Sequence, residues 1–133
     1  DLKFDAEGVP VGVDREYQVT DNESVNWAPF WHPSGKFLIY GTSQVSHANY
    51  EVFAIEIDDV KLRADAPGSR AADTLRHARM TQATGADVLP VFSPDGKWMM
   101  WTAQRGPMMS GEQKPSSQLW AAEFDATKLN WGK

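Results

Sequence analysis

One stretch of this chain is written twice. Asn26-Trp27-Ala28-Pro29-Phe30-Trp31-His32-Pro33-Ser34-Gly35-Lys36-Phe37-Leu38-Ile39-Tyr40 aligns without a gap on Asp87-Val88-Leu89-Pro90-Val91-Phe92-Ser93-Pro94-Asp95-Gly96-Lys97-Trp98-Met99-Met100-Trp101. Upstream, Thr20 matches Thr81 in the same register. Downstream, Glu51 to Asp58 matches Gln118 to Asp125 after a short insertion in the second copy. The opening Asp1 to Asp5 resembles the end of that last block. An internal repeat restricts the fold more than any composition does. Each copy must be one supersecondary unit that completes its core against its neighbours.

The unit is built from strands. Val52 to Ile57 and Leu119 to Phe124 carry aromatic and β-branched residues at half-buried spacing. Phe37 to Tyr40 and Trp98 to Trp101 are continuous apolar runs, suited to strands covered on both faces. Pro33-Ser34-Gly35-Lys36 and Pro94-Asp95-Gly96-Lys97 are tight turns. Pro presets φ, Ser or Asp bonds the local backbone, and Gly takes positive φ. The expected strands are Leu2 to Phe4 and Glu16 to Thr20, then Ala28 to Trp31, Phe37 to Tyr40, Val52 to Ile57 and Arg79 to Thr81. Leu89 to Phe92, Trp98 to Trp101 and Leu119 to Phe124 complete the set. Four antiparallel strands per repeat is the unit of a propeller blade. The fold class expected is therefore all-β, a partial β-propeller of antiparallel four-stranded blades. Residues 1–20 give two strands of an incomplete blade. Residues 21–81 make a whole blade with an insert at 59–75. Residues 82–125 make three strands of another with an insert at 106–116, and 126–133 form a tail.

The phrase Leu89 to Lys97, preceded by Met80-Thr81 and followed by Ser117-Gln118-Leu119-Trp120, resembles the WD40-like Pro-Asp repeat of TolB-type β-propellers. The first copy departs from that pattern, with Ser34 in place of Asp and His32 in place of Ser. A His-Pro-Ser-Gly copy before a Ser-Pro-Asp-Gly copy is similar to the last two blades of bacterial exported TolB-like proteins. The resemblance implies a protein-interaction platform in the periplasm or another exported setting, as in the Tol–Pal system. It also implies an alternative, an accessory or gating propeller beside a peptidase or carbohydrate-active domain.

Charge and motifs narrow the chemistry. Thirteen Lys and Arg against eighteen Asp and Glu give a net charge of −5, without a basic block. That argues against nucleic acid and against docking on anionic lipid. No apolar run approaches the ~20 residues of a membrane span. The absence of Cys removes disulfides, thiolate metal sites and cysteine nucleophiles. No GxSxG elbow, Walker loop, GxGxxG or HExxH is present. No catalytic residue is expected, and the chain itself is read as no enzyme. His32, His47 and His77 have no ligand spacing, so no metal is assigned and calcium has no spaced oxygen ligands to hold it. His32 and Asp95 are expected to serve the turns.

Blade topology places the loops before first strands, and those between second and third strands, on one face. Asn26, Trp27, His47, Asp87 and Arg105 fall there and are the candidate binding residues. Most of the six tryptophans fall on strands, where packing between blades accounts for them. Trp131, beyond the last strand, is the candidate interface anchor. Ser69 to Met80 is Ala- and Arg-rich and is expected to turn helically once or twice. Two blades and a remnant leave a missing fourth strand, an unpaired edge. The expected partners are therefore further blades, a protein, or other copies completing the ring, and the isolated chain is not expected to be a stable monomer.

Overall fold

The structure is a computed structural model describing residues 1–64, 72 and 74–132. It is all-β, with three open antiparallel sheets. A hairpin pairs β1 (Leu2–Phe4) with β2 (Pro10–Val13). The central sheet has the order β3 (Asn26–Trp31), β4 (Phe37–Ser46), β5 (Asn49–Glu56), β6 (His77–Arg79). The third sheet has the order β7 (Asp87–Phe92), β8 (Trp98–Ala103), β9 (Gln118–Glu123).

The repeat is visible in the backbone. Gly35 and Gly96 close the two turns at φ 71° and 70°. Their amides each donate back at 2.9 Å, to the carbonyls of His32 and Ser93. Asp95 Oδ1 accepts from the Lys97 amide at 3.1 Å, while Ser34 Oγ takes the Lys36 amide at 3.3 Å. Asp and Ser thus do the same turn work, Ser at the longer distance. Ala28 and Leu89, at matching positions before Pro29 and Pro90, adopt positive φ of 51° and 54°. The ladder slips at both places, so each copy carries the same bulge.

The central sheet is covered twice. One face, with Phe37, Ile39, Val52, Ala54 and Ala78, packs on Phe92, Met99, Trp101 and Ala103 of the third sheet. The other face, with Leu38, Tyr40 and Ile55, meets Tyr17, Val19, Leu75 and Leu62. Leu62 belongs to α1 (Asp59–Ala64), whose first turn is capped by Asp58 through the Val60 and Lys61 amides at 2.9 and 3.1 Å. Each large side chain buried between layers contributes ~1.5–3 kcal/mol of transfer free energy.

Several elements depart from the expectation. Phe37 to Tyr40 is buried at every position, but Trp98 to Trp101 alternates exposed and buried. Nothing among the described residues covers the outer face of the third sheet, so only alternate residues are shielded. Glu16 to Thr20 forms no strand; Pro10–Val13 pairs with β1 instead. Tyr17 and Val19 are used as apolar cover for the central sheet. Between the expected strands Phe37 to Tyr40 and Val52 to Ile57 the chain is mostly ladder rather than loop, because β4 runs on to Ser46 and turns only at His47 and Ala48. The insert at 59–75 opens with α1, and much of the rest lies outside the described residues. Within Ser69 to Met80, residues 69–71 and 73 also lie outside them, while His77 to Arg79 is strand rather than helix. The tail turns once at Ala126–Lys128 and returns to the central sheet, where the Gly132 amide donates to His77 O at 2.8 Å.

Candidate functional site

The five residues expected on one loop face separate into three settings. Asn26 and Asp87 occupy matching positions at the starts of β3 and β7. Asn26 Oδ1 accepts from Thr42 Oγ1 at 2.8 Å, and its amide donates to Asn22 Oδ1 at 2.9 Å. Asp87 is buried; it accepts from Trp101 Nε1 at 3.1 Å and from an Arg105 guanidinium nitrogen at 2.8 and 2.7 Å. Arg105 lies over the rings of Trp120 and Trp101, 5.2 and 5.8 Å from their centroids. Its Nε is buried with no hydrogen-bond partner among the described residues. Asp87 and Arg105 are therefore committed to each other and peg the third sheet.

Trp27 and His47 do come together. They line a pocket of about 340 Å³ between the central and third sheets, with Tyr50, Gln104, Lys114 and Ser117 on its walls. Trp27 and Tyr50 rings are 6.0 Å apart at 59°, and His47 and Tyr50 rings 5.6 Å apart at 57°. The indole lies against Gly41, its partner across the β3–β4 ladder. A Cβ on Gly41 would sit 2.9 Å from Trp27 Nε1.

A second, larger hollow of about 970 Å³ borders β6 and the exposed end of β9, with Arg79, Thr81, Trp101 and Arg105 among its walls. Beside it lies a network that the repeat alignment did not single out. Glu51 is fully buried and accepts from Asn49 at 2.9 Å, from Arg79 at 2.8 Å and from Thr81 Oγ1. Thr81 Oγ1 in turn accepts the Val52 amide at 2.9 Å. The available signal was the Thr20–Thr81 match, which marks a hydroxyl that the repeat keeps.

Trp131 packs within the chain. Its ring centroid is 5.8 Å from Phe37, and the Arg76 guanidinium lies 5.6 Å from it. His32 stacks on Phe37 at 4.4 Å and meets Phe92 edge-on at 4.8 Å. Its Nδ1 contacts Ser34 Oγ at 2.8 Å and accepts the Ser34 amide at 3.1 Å. The opposite ring nitrogen abuts Gly96, so this Ser–His contact lacks both an acid partner and an open approach. Among the described residues no three His, Asp or Glu side chains are grouped to hold a metal ion.

Three displaced ionisable groups belong to the central sheet. Burial pushes the Tyr40 hydroxyl up to about 12 against a hydrogen bond from Gln44. Burial also lowers His77, whose Nδ1 is 3.0 Å from the Tyr40 hydroxyl. The Arg76 hydrogen bonds, with Lys61 assisting, hold Glu56 down at about 2. All three sit away from the Trp27 pocket and serve to join β4, β5, β6 and α1. Among the described residues no helix is long and apolar enough to cross a membrane. No family model matches the chain.

Proposed function

We propose that this chain is a non-catalytic protein-interaction module, a segment of a TolB-like envelope β-propeller. One observation carries the reading. Trp98, Met100 and Leu119 share the outer face of the third sheet and are 48%, 45% and 75% exposed. Their matches in the central sheet, Phe37, Ile39 and Val52, are buried beneath the third sheet. The stacking step that joins the central sheet to the third is thus available again on the outer face. Adjacent to it, β9 has no partner on its far side among the described residues. An apolar sheet face beside an open strand edge is a surface suited to another β-sheet.

The test is sedimentation of the purified chain over a concentration series, beside Met100→Lys and Leu119→Lys. The expected result is concentration-dependent association that either substitution abolishes, with the thermal midpoint unchanged. A monodisperse wild-type monomer across the series would overturn the assignment of this face. Hydrolytic activity in the purified chain, lost on no contaminant control, would overturn the non-catalytic reading.

A further inference from the structure

The two copies of the repeat provide an internal comparison. At the positions of Val88 and Thr102 in the third sheet, the central sheet carries Trp27 and Gly41. Val88 and Thr102 build the same bulged strand pair on the outer face of the third sheet, whereas Gly41 lies on the face that meets the third sheet, where a Cβ would be 3.8 Å from Val88 Cα. The substitution is coupled, because any Cβ on Gly41 would collide with the indole. Gly41 lets the ring lie down on the strand, and the result is an indole 46% exposed at the pocket wall.

The rest of the wall selects a ligand. Lys114, His47, Gln104 and Ser117 border the indole and Tyr50, and no Asp or Glu lines the pocket. Lys114 is thus the one Lys or Arg on the wall and has no carboxylate among the lining residues, which favours an anion over a cation. Lys114 makes no ion pair among the described residues. Gln104 Oε1 is occupied by the Ala86 amide at 3.2 Å, which leaves its amide nitrogen to donate. A volume of about 340 Å³ is at the small end of ligand sites, which run from ~300 to ~1,000 Å³ and suit one ring at the lower limit. Aromatic rings, hydroxyl-matching groups and one cation on the same wall suit a hydroxylated ring bearing a carboxylate. We propose that this pocket binds an acidic monosaccharide unit, a hexuronic acid, with one sugar face on Trp27 and the carboxylate toward Lys114. The site is independent of the outer face of the third sheet.

The test is a titration of the ¹⁵N-labelled chain with D-glucuronate, following the Trp27 indole N–H resonance, assigned through Trp27→Val. D-glucose and acetate are titrated in parallel. The expected result is a saturable glucuronate shift at Trp27, weakened about tenfold or more for glucose, acetate and the Lys114→Glu variant. The Trp27→Val variant, followed by calorimetric titration because the reporter indole is gone, should lose the glucuronate binding. The proposal is overturned by no saturable shift, by acetate or glucose matching glucuronate, or by unchanged affinity in Lys114→Glu. Because Lys114 is exposed, that last arm reads binding even if Trp27→Val fails to fold.

Discussion

Replacing Arg105 by Gln removes the cation that neutralises Asp87 while leaving the carboxylate where it is. Asp87 is 1% exposed and would keep only the Trp101 Nε1 bond at 3.1 Å. An uncompensated buried charge costs about 3–5 kcal/mol. Arg105's side chain is 28% exposed, so water can reach part of the vacated space, and the loss expected is about 2–3 kcal/mol. For a chain of 133 residues the unfolding entropy converts that to a fall of roughly 7–11 °C in thermal midpoint. Near-ultraviolet circular dichroism is the suitable assay, because the Trp101 and Trp120 rings lie beside the guanidinium. Asp87→Asn combined with Arg105→Met keeps an acceptor for the indole and removes both charges. It should recover at least half of the loss. An Arg105→Gln penalty under about 1 kcal/mol, or a double variant no more stable than the single, would refute a buried pair as the peg of this sheet.

Two further outcomes follow from the geometry. Gly96→Ala should cost about 2–3 kcal/mol in urea unfolding, whereas Gly35→Ala should cost only about 1. Both sit at positive φ, but a Cβ on Gly96 would lie 2.6 Å from His32 Nε2, while Gly35 faces open space. Equal penalties would show that His32 yields and is not wedged between the sheets. Acidification from about pH 7.5 to about pH 5 should lower stability through His77, whose folded pKa lies below its ordinary 6.5. The unfolded chain takes up that proton first, so the contribution is complete above 6.5 and declines as pH falls toward the folded value. Glu56 acts later, since its contribution is lost only below the ordinary 4.5 and on toward about 2. His77→Gln should flatten urea midpoints between those two pH values; an unchanged slope would refute the assignment.

The strand order was legible because it rests on short-range chemistry. Pro-Ser-Gly and Pro-Asp-Gly fix the turns, and the flanking apolar runs supply both hairpins without help from distant residues. Elements whose conformation depends on what covers them were less legible. Glu16 to Thr20 has β-prone Tyr17 and Val19, but their contacts are to the face of the central sheet and not to a strand edge. Trp98 to Trp101 reads like Phe37 to Tyr40, yet the two differ in burial because only one of the sheets lies between covering layers. At the site, Trp27 and His47, both expected on one loop face, line one pocket. Periodicity could not tell them from Asp87 and Arg105, whose side chains turn toward each other. Trp131, beyond the last strand, gave no signal that the tail doubles back across Phe37 and Arg76.

Differences between the copies are more informative than their likeness. Glu51 can be buried because β6 and Thr81 bring Arg79 and a hydroxyl to its carboxylate. A carboxylate in that setting without those partners would be costly. Its match in the third sheet, where no fourth strand pairs with β9 among the described residues, is Gln118, neutral, exposed and bonded only to Ser116 Oγ at 3.2 Å. The same logic separates His32 from Ser93. His32 fills the space between two sheets against Phe37 and Phe92, whereas Ser93, at the matching turn, is tied to Asp95 and the Trp98 amide. Each of those two exchanges follows from what lies against the residue, a sheet or a strand. Trp27 on Gly41 follows the same rule, since Gly41 meets the third sheet 3.8 Å from Val88 Cα, whereas Thr102 is on that sheet's outer face. Of the three departures, it is the one that also leaves an aromatic ring at a pocket wall.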